Sequence, residues 1–156
     1  ISDEFLQMLD SVCRKDARIV AAFMGKYQNY EESIKKYPLL AANSRCLGAQ
    51  EDALAVTECM DLYVNPKRNG GGSSVAEALY KGLPAVTLPV GDVSAAAGES
   101  FRVADYGEMA ETILHFASDE DYYERMSRLA EERAEQLMDS KNSFCGVIDE
   151  LEQDMN

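Results

Sequence analysis

The sequence predicts an α/β fold: a parallel sheet with helices on both faces and a helical segment at the C-terminal end. Three observations predict it. Short apolar runs alternate with segments of helical periodicity at least three times, the pattern of right-handed βαβ units. Gly25, Gly48, Gly82 and Pro84 punctuate the joints between these segments. From Tyr106 onward the periodicity is helical throughout.

Each element follows from its residues. Ser2 reads as the N-cap of a first helix, with Asp3 and Glu4 in the first turn and Phe5, Met8, Leu9 and Val12 at helical spacing. Ala17 to Met24, "ARIVAAFM", contains β-branched residues and reads as a strand buried on both faces. A helix over about 30–37 stops before Pro38. Ser44 to Leu47 forms a second strand that ends at Gly48, and Glu51 to Met60 an amphipathic helix. Asp61 to Asn65, "DLYVN", is a third strand. A helix from about Ser74 to Lys81 follows, with Gly82 as its C-cap and Pro84 beyond. Ala85 to Leu88 is the fourth strand, and Gly91 to Phe101 a loop rich in small residues.

In the C-terminal part, Met109, Ile113 and Phe116 mark one apolar face. Asp119 caps the next helix, where Tyr123, Met126, Ala130 and Leu137 face inward, and Phe144, Val147, Ile148 and Leu151 mark a last one. There is no internal repeat and no linker long enough to divide the chain, so residues 1–156 are expected to form one Rossmann-like domain.

The chain has 156 residues, 46% of them apolar, which is enough for a real core. Its net charge is −13. That excludes broad contact with nucleic acid or an anionic membrane, which needs a basic face. It leaves room for one small anionic ligand. No apolar run approaches the ~18 residues of a membrane span, and no signal peptide is visible. Cys13, Cys46, Cys59 and Cys145 are scattered, with no Cys-x-x-Cys pair. They read as reduced core residues of a cytoplasmic protein. Neither a metal site nor a cofactor is expected. The lone histidine, His115, reads as structural. The first residue is Ile, from which we expect a piece of a longer protein.

The candidate site is the stretch "NPKRNGGGSSVAEALYKGLP", from Asn65 to Pro84. Gly70, Gly71, Gly72, Ser73 and Ser74 lie between a strand and a helix. In a doubly wound sheet that junction is at the carboxyl end of a strand, where ligands bind. Glycines let a backbone approach a ligand. The helix start offers unpaired N–H groups and a positive dipole end. Ser73 and Ser74 add hydroxyls, while Lys67 and Arg68 add charge. A phosphate or diphosphate suits such a place. The alternative is a solvated loop whose Ser73 caps the helix. Glu77, one turn on, can accept hydrogen bonds from paired sugar hydroxyls, or it can be an acid favoured by the helix dipole. Asp92, Glu99 and Lys26 lie on loops at the same edge and read as solvated charges.

With these residues laid out, the chain resembles the C-terminal, nucleotide-sugar-binding domain of a GT-B fold glycosyltransferase of the retaining type. The resemblance runs from about Ala17 onward and is strongest from Asp61 to Gly98. It is carried by "DLYVNP" before the glycine loop, "AEALYKGLPAVTL", and "GDV" followed by "AGESF". It implies a UDP-sugar or GDP-sugar donor, with Glu77 holding the ribose hydroxyls. The backbone of Gly70 to Ser74 would meet sugar and diphosphate, and Leu47, Gly48 and Ala49 the base. It further implies an N-terminal acceptor-binding domain, and a first strand of this domain, that this chain lacks. The family's diphosphate-binding Arg and Lys follow that strand and are expected to be absent with it; Arg68 would substitute for them in part. Asn69 stands where the family often has a Glu, with seven residues between it and the second one. No catalytic residue is implied. Two other readings keep the fold: a sugar-nucleotide epimerase, and an acidic interaction module whose glycine loop binds nothing.

Overall fold

Ser2 Oγ accepts a hydrogen bond from Phe5 N at 3.3 Å and opens α1 (Asp3–Lys15) as its residues require. The computed structural model describes residues 1–139. The predicted last helix, with Phe144, Val147, Ile148 and Leu151, lies outside them, as does Cys145. α1 buries Phe5, Leu6, Met8, Leu9, Val12 and Cys13. It also buries Asp10, which is 7% exposed. The carboxylate has a purpose there: Asp10 Oδ1 accepts from Leu39 N and Leu40 N, each at 2.9 Å. Those N–H groups open α3 (Pro38–Ala42). Pro38, expected to end a helix, begins one instead. At the first position its missing N–H costs nothing. The helix before it, α2 (Tyr30–Ile34), is accordingly shorter than expected.

β1 (Ala21–Met24) pairs in parallel with β2 (Ser44–Gly48), Ala21 opposite Ser44 and Phe23 opposite Cys46. After α4 (Ala53–Thr57), β3 (Tyr63–Asn65) pairs in parallel with β4 (Ala85–Thr87), Tyr63 opposite Ala85 and Asn65 opposite Thr87. The fold is α/β with parallel strands. Among the described residues the strands form two parallel pairs that share no hydrogen-bonded edge. This corrects one expectation. β1 is not buried on both faces: Phe23 is buried, but Val20 is 59% and Met24 44% exposed. In a pair of strands with one packed face, alternate residues turn away from the core.

α5 (Gly72–Tyr80) follows β3 and packs on β4 and on two later helices, α6 (Gly91–Ala97) and α8 (Glu120–Met138). Val75, Ala78 and Leu79 are wholly buried. Its exit is fixed by two backbone bonds, Gly82 N to Leu79 O at 2.9 Å and Leu83 N to Ala78 O at 3.0 Å. This closure needs a left-handed residue, and Gly82 supplies φ 70°. The chain then enters β4, where Ala85, Val86 and Thr87 are all buried.

α7 (Tyr106–Ser118) and α8 are capped by Asp105 and Asp119, whose Oδ1 atoms accept from Glu108 N and Tyr122 N. Met109, Ile113 and Phe116 face the core as predicted, and so do Met126 and Ala130. Leu137 does not; it is 39% exposed. The buried stripe steps from Met126 to Ala130 to Ala134, and the last turn, Leu137 with Met138, projects into solvent. Of the cysteines, Cys13 lies in the core, whereas Cys46 and Cys59 are exposed. No helix among the described residues is long and apolar enough to cross a membrane.

The Asp10 carboxylate joins α1 to α3, so its removal leaves two N–H groups, one buried and one partly buried, without an acceptor. Asp10→Ala is expected to lower stability by about 2 kcal/mol and Asp10→Asn by less, because the amide retains one oxygen. Denaturant unfolding of the three proteins checks the order.

Candidate functional site

Asn65 ends β3 and is 3% exposed. Its Nδ2 donates to the Pro66 carbonyl at 2.8 Å, which fixes the amide and turns Oδ1 toward the loop. Arg68 Nε donates to that oxygen at 2.8 Å, and Arg68 Nη2 donates to Tyr63 Oη at 3.3 Å. The guanidinium therefore folds back over Gly71. A Cβ on Gly71 would stand 2.3 Å from Arg68 Nη2, so any larger residue displaces the guanidinium from this position. Gly71 has φ 106° and is the N-cap of α5. Gly71 has no side chain to cap the first N–H groups of the helix, at Gly72, Ser73 and Ser74.

A second loop packs against this one. A Cβ on Gly72 would lie 3.2 Å from Asp92 Oδ2, and one on Gly91 only 2.9 Å from the Arg68 carbonyl. Gly91 has φ 74°. The turn is also held from α7, where Tyr106 Oη accepts from Lys67 N at 3.1 Å. Residues 91–97, expected as loop, are helical and form α6; their entry, Gly91 with Asp92, belongs to the site.

Burial pushes the Tyr63 hydroxyl above its ordinary pKa. The positive charge of Arg68 and the Ser74 hydroxyl oppose this shift, and the charge of Asp92 adds to it. Tyr63 thus stays protonated through the neutral range. It accepts from Arg68 while its own proton is directed at Asn65 Oδ1, 3.4 Å away.

The structure brings Arg68, Gly71, Gly72 and Ser74 together at the carboxyl end of β3. Asn69 and Gly70 are exposed at the tip of the turn, and Ser73 is exposed in the first turn of α5. Glu77 is not in that first turn. α5 begins two residues earlier than expected, and Glu77 is its sixth residue, exposed, with no side-chain partner among the described residues. Leu47 and Ala49 lie elsewhere, at the end of β2. Gly25 N donates to the Gly48 carbonyl there at 2.7 Å, and Gln50 Nε2 donates to the Leu47 carbonyl. No hydrogen bond among the described residues joins them to the glycine loop.

Tyr63 and Asn65 escaped the sequence reading, which used "DLYVN" only as a strand. The available signal was two polar side chains at the end of a buried strand, three and five residues before an arginine.

Other candidates are accounted for within the fold. His115 Nε2 lies 3.1 Å from Asp119 Oδ2, and its ring stacks on Tyr122 at 4.0 Å. An open cleft of about 500 Å³ lies between α1 and the start of α3. Its cations are already paired, Arg14 with Asp10 at 3.5 Å and Lys36 with Asp3 at 3.2 Å. Among the described residues no three His, Cys, Asp or Glu side chains are grouped to hold a metal ion.

The family model described as "Glycosyl transferases group 1" matches residues 2–119. No curated protein sequence matches the chain. Among solved structures, HepE of Anabaena in complex with UDP is similar, with a TM-score of 0.70 and 17% identity, covering 94% of this chain and 44% of that one. A TarM mutant of S. aureus, in complex with fondaparinux, α-GlcNAc-glycerol and UDP, has a TM-score of 0.72 and 18% identity, covering 84% of this chain and 28% of that one. A glycosyltransferase of Rickettsia africae has a TM-score of 0.68 and 12% identity, covering 87% and 40%. The chain thus spans less than half the length of each, and at these identities the likeness is one of fold.

Both Gly91 and Gly25 have left-handed φ, but only Gly91 has backbone within van der Waals reach of a new Cβ. Gly25→Ala is expected to cost about 1 kcal/mol from backbone conformation alone. Gly91→Ala should cost more, because the two loops must part. Thermal unfolding of the two variants side by side checks this ranking.

Proposed function

The chain belongs to the group 1 glycosyl transferases, and from that premise we propose that it binds the diphosphate and ribose of a UDP-sugar donor for transfer of the sugar to an acceptor. The observation that carries this reading is Arg68. Its guanidinium is held over Gly71, beside the uncapped first turn of α5, with no carboxylate partner among the described residues. A diphosphate placed there meets a full positive charge, the N–H groups of residues 72–74 and the hydroxyls of Ser73 and Ser74.

Glu77, further along α5, is free to accept hydrogen bonds from the two ribose hydroxyls. Asn69 reaches the sugar with an amide, which hydrogen-bonds without charge. Leu47 and Ala49 offer backbone groups to the base. UDP is preferred to GDP because the structures of HepE and TarM that resemble this one contain UDP. The transferred group is a hexosyl unit, and the acceptor a growing polysaccharide or glycoconjugate.

When the bond between the anomeric carbon and the diphosphate breaks, negative charge grows on the leaving phosphate. Arg68 and the positive end of α5 stabilise that charge. No general base is assigned. The acceptor belongs to a second, N-terminal domain. The exposed thiols of Cys46 and Cys59 fit a reducing compartment, and the proposed location is the cytoplasm.

Calorimetric titration with UDP and with uridine tests the reading. Arg68→Ala should weaken UDP by roughly tenfold or more and leave uridine unchanged, since it removes a charge-assisted contact. Glu77→Ala should weaken both ligands alike. No UDP binding by the unaltered chain, with a partner protein bound instead, would favour a non-catalytic interaction module.

A further inference from the structure

Arg68 is held differently from the other arginines engaged in this structure. Arg14, Arg18 and Arg128 lie against carboxylates, of Asp10, Asp16 and Glu124. Arg45, Arg102 and Arg133 donate to backbone carbonyls, of Ser44, of Ser94, and of Ala95 and Ala96; Arg133 also donates to Gln136 Oε1, and Arg125 lies over the Tyr122 ring. Arg68 alone among them is gripped by two neutral side-chain oxygens, Asn65 Oδ1 at 2.8 Å and Tyr63 Oη at 3.3 Å. The grip is braced from behind. Tyr63 Oη lies 3.4 Å from the same Asn65 oxygen, and the Asn65 amide is anchored on the Pro66 carbonyl. Asn65 is buried, so this frame is part of the core end of β3.

The choice of neutral oxygens has an electrostatic consequence. An aspartate at position 65 could grip the same guanidinium, but would cancel its charge. Asparagine and tyrosine set its position and leave the charge available to an anion. Holding the side chain in place ahead of the ligand also removes the entropy of ordering a long arginine from the binding step.

We propose that Tyr63 and Asn65 are positioning residues, which hold the Arg68 guanidinium over Gly71 with its charge intact so that it meets the donor's diphosphate. This rests on the donor-binding reading above. Neither residue touches the ligand; both act through Arg68.

A double-mutant cycle on the full chain tests the idea, with UDP and uridine titrated separately. Tyr63→Phe should weaken UDP roughly threefold to tenfold, the worth of one hydrogen bond, and leave uridine unchanged. In an Arg68→Ala background, Tyr63→Phe should have no further effect. Asn65→Asp is the second variant; it should also weaken UDP alone, because the carboxylate neutralises the guanidinium it holds. Thermal unfolding of each variant shows whether it folds.

The proposal is overturned if Tyr63→Phe leaves UDP affinity unchanged, if it weakens uridine equally, or if its effect persists without Arg68. Unchanged or tighter UDP binding by Asn65→Asp overturns the role of the neutral oxygens. If Arg68→Ala weakens UDP while Tyr63→Phe does not, only the positioning role falls. If the unaltered chain binds no UDP, the donor reading falls and this inference with it.

Discussion

Gly91 meets the carbonyl of Arg68 so closely that a Cβ between them would stand 2.9 Å from the oxygen. The arrangement of the candidate site depends on this backbone contact. It locks the turn after β3 against the entry to α6, while Gly71 leaves room on the other side for the Arg68 guanidinium. Each glycine is required twice over, once for a left-handed φ and once for the missing side chain. The loop is therefore a shaped backbone surface, with the opening of α5 on one side and a fixed cation on the other.

The contact is effective only because α5 is packed against its neighbours. Val75, Ala78 and Leu79 are fully buried, and α5 packs on β4, α6 and α8 at once. Arg133 of α8 donates to the Ala95 and Ala96 carbonyls at the end of α6. Arg102 closes the same end through the Ser94 carbonyl. The Arg133 bonds satisfy carbonyls that a short helix leaves open, and with Arg102 they hold α6 so that its start stays against the glycine turn. Stability and site geometry thus share the same contacts.

Charge is organised on the same local scale. A chain of net charge −13 repels anions at long range, and screening confines that field to about 10 Å at moderate ionic strength. Within that distance of the turn the arrangement of individual groups matters more. Asp92 stands near Gly72 and acts on Tyr63, while Arg68 is held by oxygens that carry no charge. Lys67 adds a second cation beside it, its backbone fixed by Tyr106. Charge at this turn is set by such local choices, and composition does not reveal it.

The sequence by itself determined the order and type of most elements. Caps such as Ser2 and Asp119, and the closing Gly82, act through residues three or four positions away. That is why they are legible along the chain. The junction of strand, glycines and helix was legible for the same reason, and with it Arg68, Gly71, Gly72 and Ser74 as a group. Only the tertiary structure decided what depends on distant residues. The carboxylate of Asp10 is buried because α3 arrives to use it. β1 keeps a bare face because its pair is packed on one side only. Asn65 and Tyr63 acquire a role because the turn folds Arg68 back upon them. A side chain's neighbours across the fold are set by packing, and packing has no period that can be counted in a single sequence.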